Sequence, residues 1–197
     1  MKDNSNKIIL DLCGGTGAWS NPFKKAGYDV RVITLPDNDI LTFEPPENVY
    51  GILAAPPCTM FSLARTTAKT PRDLKQGMKV VKACVNIIWE ARHKGKLKFW
   101  AMENPKALLR QFMGKPSFTF DASEFGEDYN KATDLWGYFT EPKKTHEYKR
   151  FDSTNTNSRK LPPIPKDYKI DPNMNRTAIK RSITPQKFAE AFYKANK

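Results

Sequence analysis

A chain of 197 residues suits one α/β domain that buries a core without disulfides or a structural metal. Its 33 Lys and Arg against 21 Asp and Glu leave a formal charge of +12, a field that attracts phosphate backbones and points to nucleic acid as the partner. Three scattered cysteines and two histidines argue against a disulfide framework or zinc site. With no signal-peptide region and no long apolar run, the expectation is a cytoplasmic protein without membrane contact.

Lys7–Leu12 (KIILDL) reads as a short apolar strand running into a glycine-rich turn, CGGTG. Trp19–Ala26 follows as a helix stopped by Gly27, and Tyr28–Leu35 as a second strand. Val49–Ala54 is a third, buried strand halted by Pro56 and Pro57. Over Leu74–Lys94, Met78, Val81, Val85, Ile88 and Trp89 are spaced as one helical face, with Cys84 as a core thiol. Phe99–Glu103 is a fourth strand, and Lys106–Met113 a short helix.

This alternation predicts an α/β fold: a mainly parallel, Rossmann-like sheet with helices on both faces. Chemistry in such sheets gathers outside the carboxyl ends of the strands, where CGGTG, PPC and EN all fall. From Glu141 the chain turns polar, basic and proline-rich. Residues 141–172 read as an extended excursion or a mobile loop within a single 1–197 domain. Most of the net charge lies beyond Glu141, with 14 Lys and Arg against six Asp and Glu. Thr184-Pro185 then starts a helix with Phe188, Ala191 and Phe192 on one stripe.

The glycine turn after the first strand is a cradle for a nucleotide-like cofactor, because glycines let backbone amides approach a ligand. Asp37-Asn38-Asp39-Ile40 follows the second strand, where a carboxylate meets a ribose hydroxyl or an adenine amine. Trp19 supplies either an aromatic cover for the ligand or a core side chain. Cys58, held on a rigid Pro-Pro turn and followed by Arg65, Lys69, Arg72 and Lys75, reads as a nucleophile in a thiolate-stabilising field. The same basic loop has the polarity of a lid over a phosphate backbone. Glu103-Asn104-Pro105 places a carboxyl at the next strand end, able to donate a proton when desolvated.

The series DLCGGTG, PPCTMFS, MENPKALL and SITP resembles the ordered motifs of DNA cytosine-5 methyltransferases. The resemblance spans nearly the whole chain, and PPC with Phe61-Ser62 followed by EN is its most specific part. It implies S-adenosyl-L-methionine as cofactor, with Asp11, Cys13, Gly14, Gly15, Thr16, Gly17, Trp19, Asp37, Asp39, Ile40 and Pro56 at its site. It implies Cys58 adding to cytosine C6, Glu103 and Asn104 holding the ring, and Arg65 or Lys131 at the ring oxygen. It also implies a flipped cytosine in DNA.

Several positions depart from the family pattern. Cys13 replaces an aromatic residue, Pro105 a valine and Thr59 a glutamine, while an arginine-rich motif is reduced to Lys131. Residues 141–172 occupy the place of a much longer target recognition domain, as in the short forms of phages, which leaves target choice to a partner protein. The sequence leaves open RNA cytosine, a modified cofactor, and an inactive nucleic-acid-binding accessory protein. An amino-methyltransferase fits less well, since Ala55 and Cys58 stand where it needs a polar residue and an aromatic.

Overall fold

Apolar residues alternate along the central strands, so each strand feeds two cores. The computed structural model describes residues 3–63, 65, 68–151, 161–166, 168 and 176–197. In chain order it contains β1 (Ile8–Leu12), α1 (Asn21–Lys25), β2 (Asp29–Ile33), β3 (Val49–Ala54), α2 (Leu74–His93), β4 (Phe99–Pro105) and α3 (Arg110–Met113). These are followed by β5 (Phe118–Asp121), a 3-10 turn over Ala122–Phe125, β6 (Ala132–Tyr138), α4 (Arg176–Ser182) and α5 (Gln186–Asn196). The six strands form one mixed, mostly parallel sheet in the order β2-β1-β3-β4-β6-β5, with β6 antiparallel to both of its neighbours.

On one face, Ile9, Leu53, Phe99 and Ala101 pack against Phe23 of α1 and Phe188 and Phe192 of α5. On the other, Leu10, Leu12, Ile52 and Met102 lie beneath Val81, Cys84 and Ile88 of α2. Each fully buried Phe or Leu contributes roughly 1.5–3 kcal/mol over its exposed state, so the two layers hold the sheet without crosslinks. All three cysteines are free thiols. Among the described residues, no helix is long and apolar enough to cross a membrane.

Four sequence expectations change. The buried face of α2 is Val81, Cys84, Ile87, Ile88 and Ala91, rotated by about a quarter-turn from the predicted stripe. Val85 and Trp89 consequently face outward, Trp89 being 69% exposed. The first helix is shorter than predicted, because Trp19 and Ser20 precede it and Pro22 sits in its first turn. Lys106–Leu109 bends before α3 instead of joining it. The strands β5 and β6 also went unpredicted.

The excursion begins as a tied segment. Thr145 and His146 amides donate to the Glu124 carbonyl, and the Phe151 amide to Asn130 Oδ1. Asn130 Nδ2 in turn donates to the Lys149 carbonyl. Residues 141–151 therefore lie against the 3-10 turn, so of the two readings this stretch takes the extended excursion. The remainder of the 141–172 expectation lies largely outside the described residues.

Candidate active site

β1 is flanked by β2 on one side and β3 on the other, so the loops leaving β1 and β3 diverge. This switch in strand order marks the carboxyl edge between them as the usual ligand position in such sheets. β6 runs the opposite way and starts at this same edge, beside the end of β4. Pro105 pairs with Thr133 and Asn104 with Asp134.

The turn after β1 is tight, with positive φ at Cys13 (56°), Gly15 (54°) and Gly17 (68°). A side chain at Gly14 would put Cβ 2.4 Å from Asp11 Cγ, so glycine there lets the carboxyl lie under the turn. Asp11 is wholly buried; its Oδ2 accepts from the Ser20 hydroxyl and its Oδ1 has no partner. Burial pushes its pKa up to about 6, opposed by the Ser20 bond and augmented by the charge of Glu103.

After β3, the Cys58 carbonyl accepts the amides of Phe61 (2.9 Å) and Ser62 (2.8 Å). A turn therefore starts at the half-buried Cys58, anchored by the fully buried Phe61. Burial pushes the Cys58 thiol above its ordinary range, and Glu103 adds to the shift while Lys131 opposes it. This corrects the expected thiolate-stabilising field of the basic loop. Arg65 donates to the Thr70 carbonyl (2.7 Å) and hydroxyl (2.8 Å), and Arg72 to the carbonyls of Met60 (2.9 Å) and Ser62 (2.8 Å). Lys69 and Lys75 face solvent. Both arginines thus brace the loop that follows Cys58.

Glu103 is 9% exposed, with Oε1 3.9 Å from Lys131 Nζ and Oε2 without a partner. Lys131 Nζ also donates to the carbonyls of Ser182 (3.4 Å) and Ile183 (3.2 Å), which brings the SITP segment to the same edge. Asn104 Nδ2 donates to the Pro56 carbonyl at 3.0 Å, tying β4 to the Cys58 loop, while its Oδ1 is buried and unpartnered. Pro56 itself is buried. The structure thus brings together Asp11, Pro56, Cys58, Glu103, Asn104 and Lys131.

The remaining predicted residues divide. Gly15, Thr16 and Gly17 form the half-buried turn. Asp37 and Asp39 sit exposed beyond β2, Asp39 Oδ1 accepting the Leu41 amide at 2.9 Å. Ile40 belongs to the core beneath α2. Cys13 turns toward Cys84, and their hydrogen bond together with burial drives the Cys84 thiol far upward. Trp19 is 2% exposed against Phe188 and Phe192, so its core alternative is the one observed.

Sequence reasoning missed Ser20, whose only signal was a hydroxyl next to Trp19. It also missed Tyr168, whose hydroxyl lies 4.0 Å from where a Gly15 Cβ would stand. A lone tyrosine in a proline-rich stretch gave no such signal.

Among the described residues, every buried side-chain nitrogen or oxygen without a hydrogen-bond partner belongs to Asp11, Trp19, Glu103 or Asn104. Buried polar atoms are normally paired, at a cost of about 1–3 kcal/mol when they are not. Three of these four are acceptors at the carboxyl ends of β1 and β4, as expected of a site whose ligand brings donors. Among the described residues, no group of three or more His, Cys, Asp or Glu could hold a metal ion. No protein-family model matches the chain, and no curated protein matches it significantly.

Proposed function

We propose that this protein is an S-adenosylmethionine-dependent DNA cytosine-5 methyltransferase with a Rossmann-like core. The observation that carries the reading is the convergence of Cys58, Glu103 and Lys131 with three unpartnered buried acceptors at one sheet edge.

The residues fit the cofactor. Asp11 Oδ1, buried beneath a turn of glycines, suits the cationic amino group of the methionyl part, and exposed Asp39 suits a ribose hydroxyl. Cys13 and Trp19 are both turned inward, so neither offers a face to the adenine. When bound, S-adenosylmethionine supplies an electrophilic methyl group to C5 of the base.

The chain's own residues do the rest. Cys58, once deprotonated, adds to C6 and pushes the ring electrons toward C5. Glu103, as the acid, donates a hydrogen bond to ring N3 and stabilises the resulting enamine, a role its free Oε2 leaves open. Lys131 offsets part of the cost of the Cys58 thiolate and holds a cation beside the ring oxygen. After transfer the C5 proton passes to solvent water, the electrons of that C–H bond form the C5–C6 double bond, and the C6–S bond breaks to return the thiolate. The +12 charge draws in the phosphate backbone.

The test is a trapping assay with DNA carrying 5-fluorocytosine and S-adenosylmethionine, read by mass. Fluorine cannot leave by the normal elimination, so the expected product is a covalent adduct lost in Cys58→Ser. If no adduct forms although the cofactor binds, DNA is the wrong substrate, and RNA cytosine is tested next.

A further inference from the structure

The outward face of α2 is not an ordinary solvated helix surface. At about 100° per residue, Lys75, Lys79, Lys82, Asn86, Trp89 and His93 fall within about 40° of one line, opposite the buried face. All six are exposed. The stripe holds three lysines and no carboxylate, the nearest acid on α2 being Glu90 beside its far end. Trp89, 69% exposed, is an uncommon residue for such a face and breaks the helical pattern that would have buried it.

A second aromatic pair lies to one side of the end of α2. Trp100 of β4 and Tyr138 of β6 are direct cross-strand partners on the sheet face that α2 covers, and Tyr138 is 69% exposed. Arg92, three residues from Trp89, lines a cleft with Trp100 and Tyr138. Lys96 and Lys98 lie in the following turn, and Lys94 there pairs with Glu47 at 3.5 Å. The other end of the stripe begins directly after the loop that carries Cys58.

We infer that the outer stripe of α2 is a track for a single nucleic-acid strand, with Lys75, Lys79 and Lys82 on successive phosphates and Trp89 stacking an unpaired base at the foot of the helix. Lysines one turn apart over about 10 Å, at the start of a helix about 30 Å long, match a backbone of regularly spaced charges. An exposed indole flanked by cations is a stacking platform for a base face, which a paired duplex does not present. The track rests on the nucleic-acid part of the proposed function and not on methyl transfer.

Binding of fluorescein-labelled oligothymidylate of twelve nucleotides, followed by anisotropy across a salt series, tests it in the full chain. Lys75→Gln, Lys79→Gln and Lys82→Gln combined should flatten the log–log salt slope by about 2, three single-strand phosphate contacts' worth. Trp89→Ala should weaken binding roughly 5- to 150-fold with the slope unchanged, the effect of one stacked base. Both variants alter exposed side chains, so thermal melts matching the parent's are expected and check the fold. Wild-type protein that fails to bind, or variants that bind as it does, would overturn the track. Cys58→Ser should bind this probe normally, so loss of the 5-fluorocytosine adduct and loss of the track are read separately.

Discussion

The ammonium of Lys131 stands 3.9 Å from a Glu103 carboxylate oxygen while donating to two carbonyls of the Ser182–Ile183 segment. The charge opposing Glu103 is thus held by a distant part of the chain. Both charges act on Cys58, in opposite directions.

That opposition gives a first prediction, independent of turnover. Glu103→Gln removes the charge that raises the thiol, so the pH midpoint for iodoacetamide alkylation of Cys58 should fall. Lys131→Met removes the charge that lowers it, and the midpoint should rise. Peptide mass mapping separates Cys58 from Cys13 and Cys84. Shifts in the same direction in both variants would rule out this electrostatic arrangement.

Turnover gives a second. Cys58→Ser should abolish methyl transfer and leave S-adenosylhomocysteine binding intact, since the thiol lies beyond the turn assigned to the cofactor. Glu103→Gln should slow transfer by roughly 10²- to 10⁴-fold, the usual range for a positioned acid or base. Near wild-type rates with tritiated cofactor in either variant would remove that residue from the mechanism.

Asp11 gives a third, through pH. Its folded pKa of about 6 lies above the ordinary 3.8, so the folded state holds the proton more tightly than the unfolded one. Its stability contribution is full below about pH 4 and is lost as pH rises through about 6, on the order of 3 kcal/mol at most. Asp11→Asn keeps an acceptor for Ser20 and should flatten urea-unfolding stability across that window, exceeding the parent at pH 8. Affinity for the cofactor in the parent should instead climb from pH 5 to 7.5, as the carboxylate needed by a cationic amine appears. A pH-independent affinity would separate Asp11 from the ligand.

Gly14→Ala is the fourth. Its Cβ would stand 2.4 Å from Asp11 Cγ, inside any allowed contact. Relieving the clash by moving the turn should cost about 1–3 kcal/mol, visible as a lowered melting temperature together with lost cofactor binding. An unchanged melt would mean that the turn yields to a side chain at no cost.

Much of this architecture was legible because strands and turns leave local marks. KIILDL before CGGTG, VYGILA before PPC and FWAME before NP each join an apolar run to a breaker, so the parallel strands and their chemistry-bearing ends could be read together. β6 was missed because ATDLWGY carries a glycine and an aspartate. That aspartate, Asp134, is buried with its carboxylate satisfied by Arg110 and the Thr119 hydroxyl. The rotation of α2 was missed because Val85 and Trp89 are as apolar as the residues that are buried, and only tertiary contact distinguishes them. Lys131 could be singled out by position in the motif series, but its partners in Ser182 and Ile183 are non-local and leave no mark in sequence.

The glycine turn rests on Trp19, whose ring packs against Phe188 and Phe192 from the opposite end of the sequence. Asn196 fixes that helix by accepting the Thr140 amide at 2.8 Å and donating to the Thr140 carbonyl at 2.9 Å. Such remote contacts close late and slowly in folding, because most of the chain must be ordered before they form. The turn proposed as a ligand cradle is therefore completed by closure of the chain upon itself, and its acquisition reports on completion of folding as a whole. A refolding experiment should show helix signal returning before Trp19 reaches its buried environment, with ligand competence arriving only in that second phase.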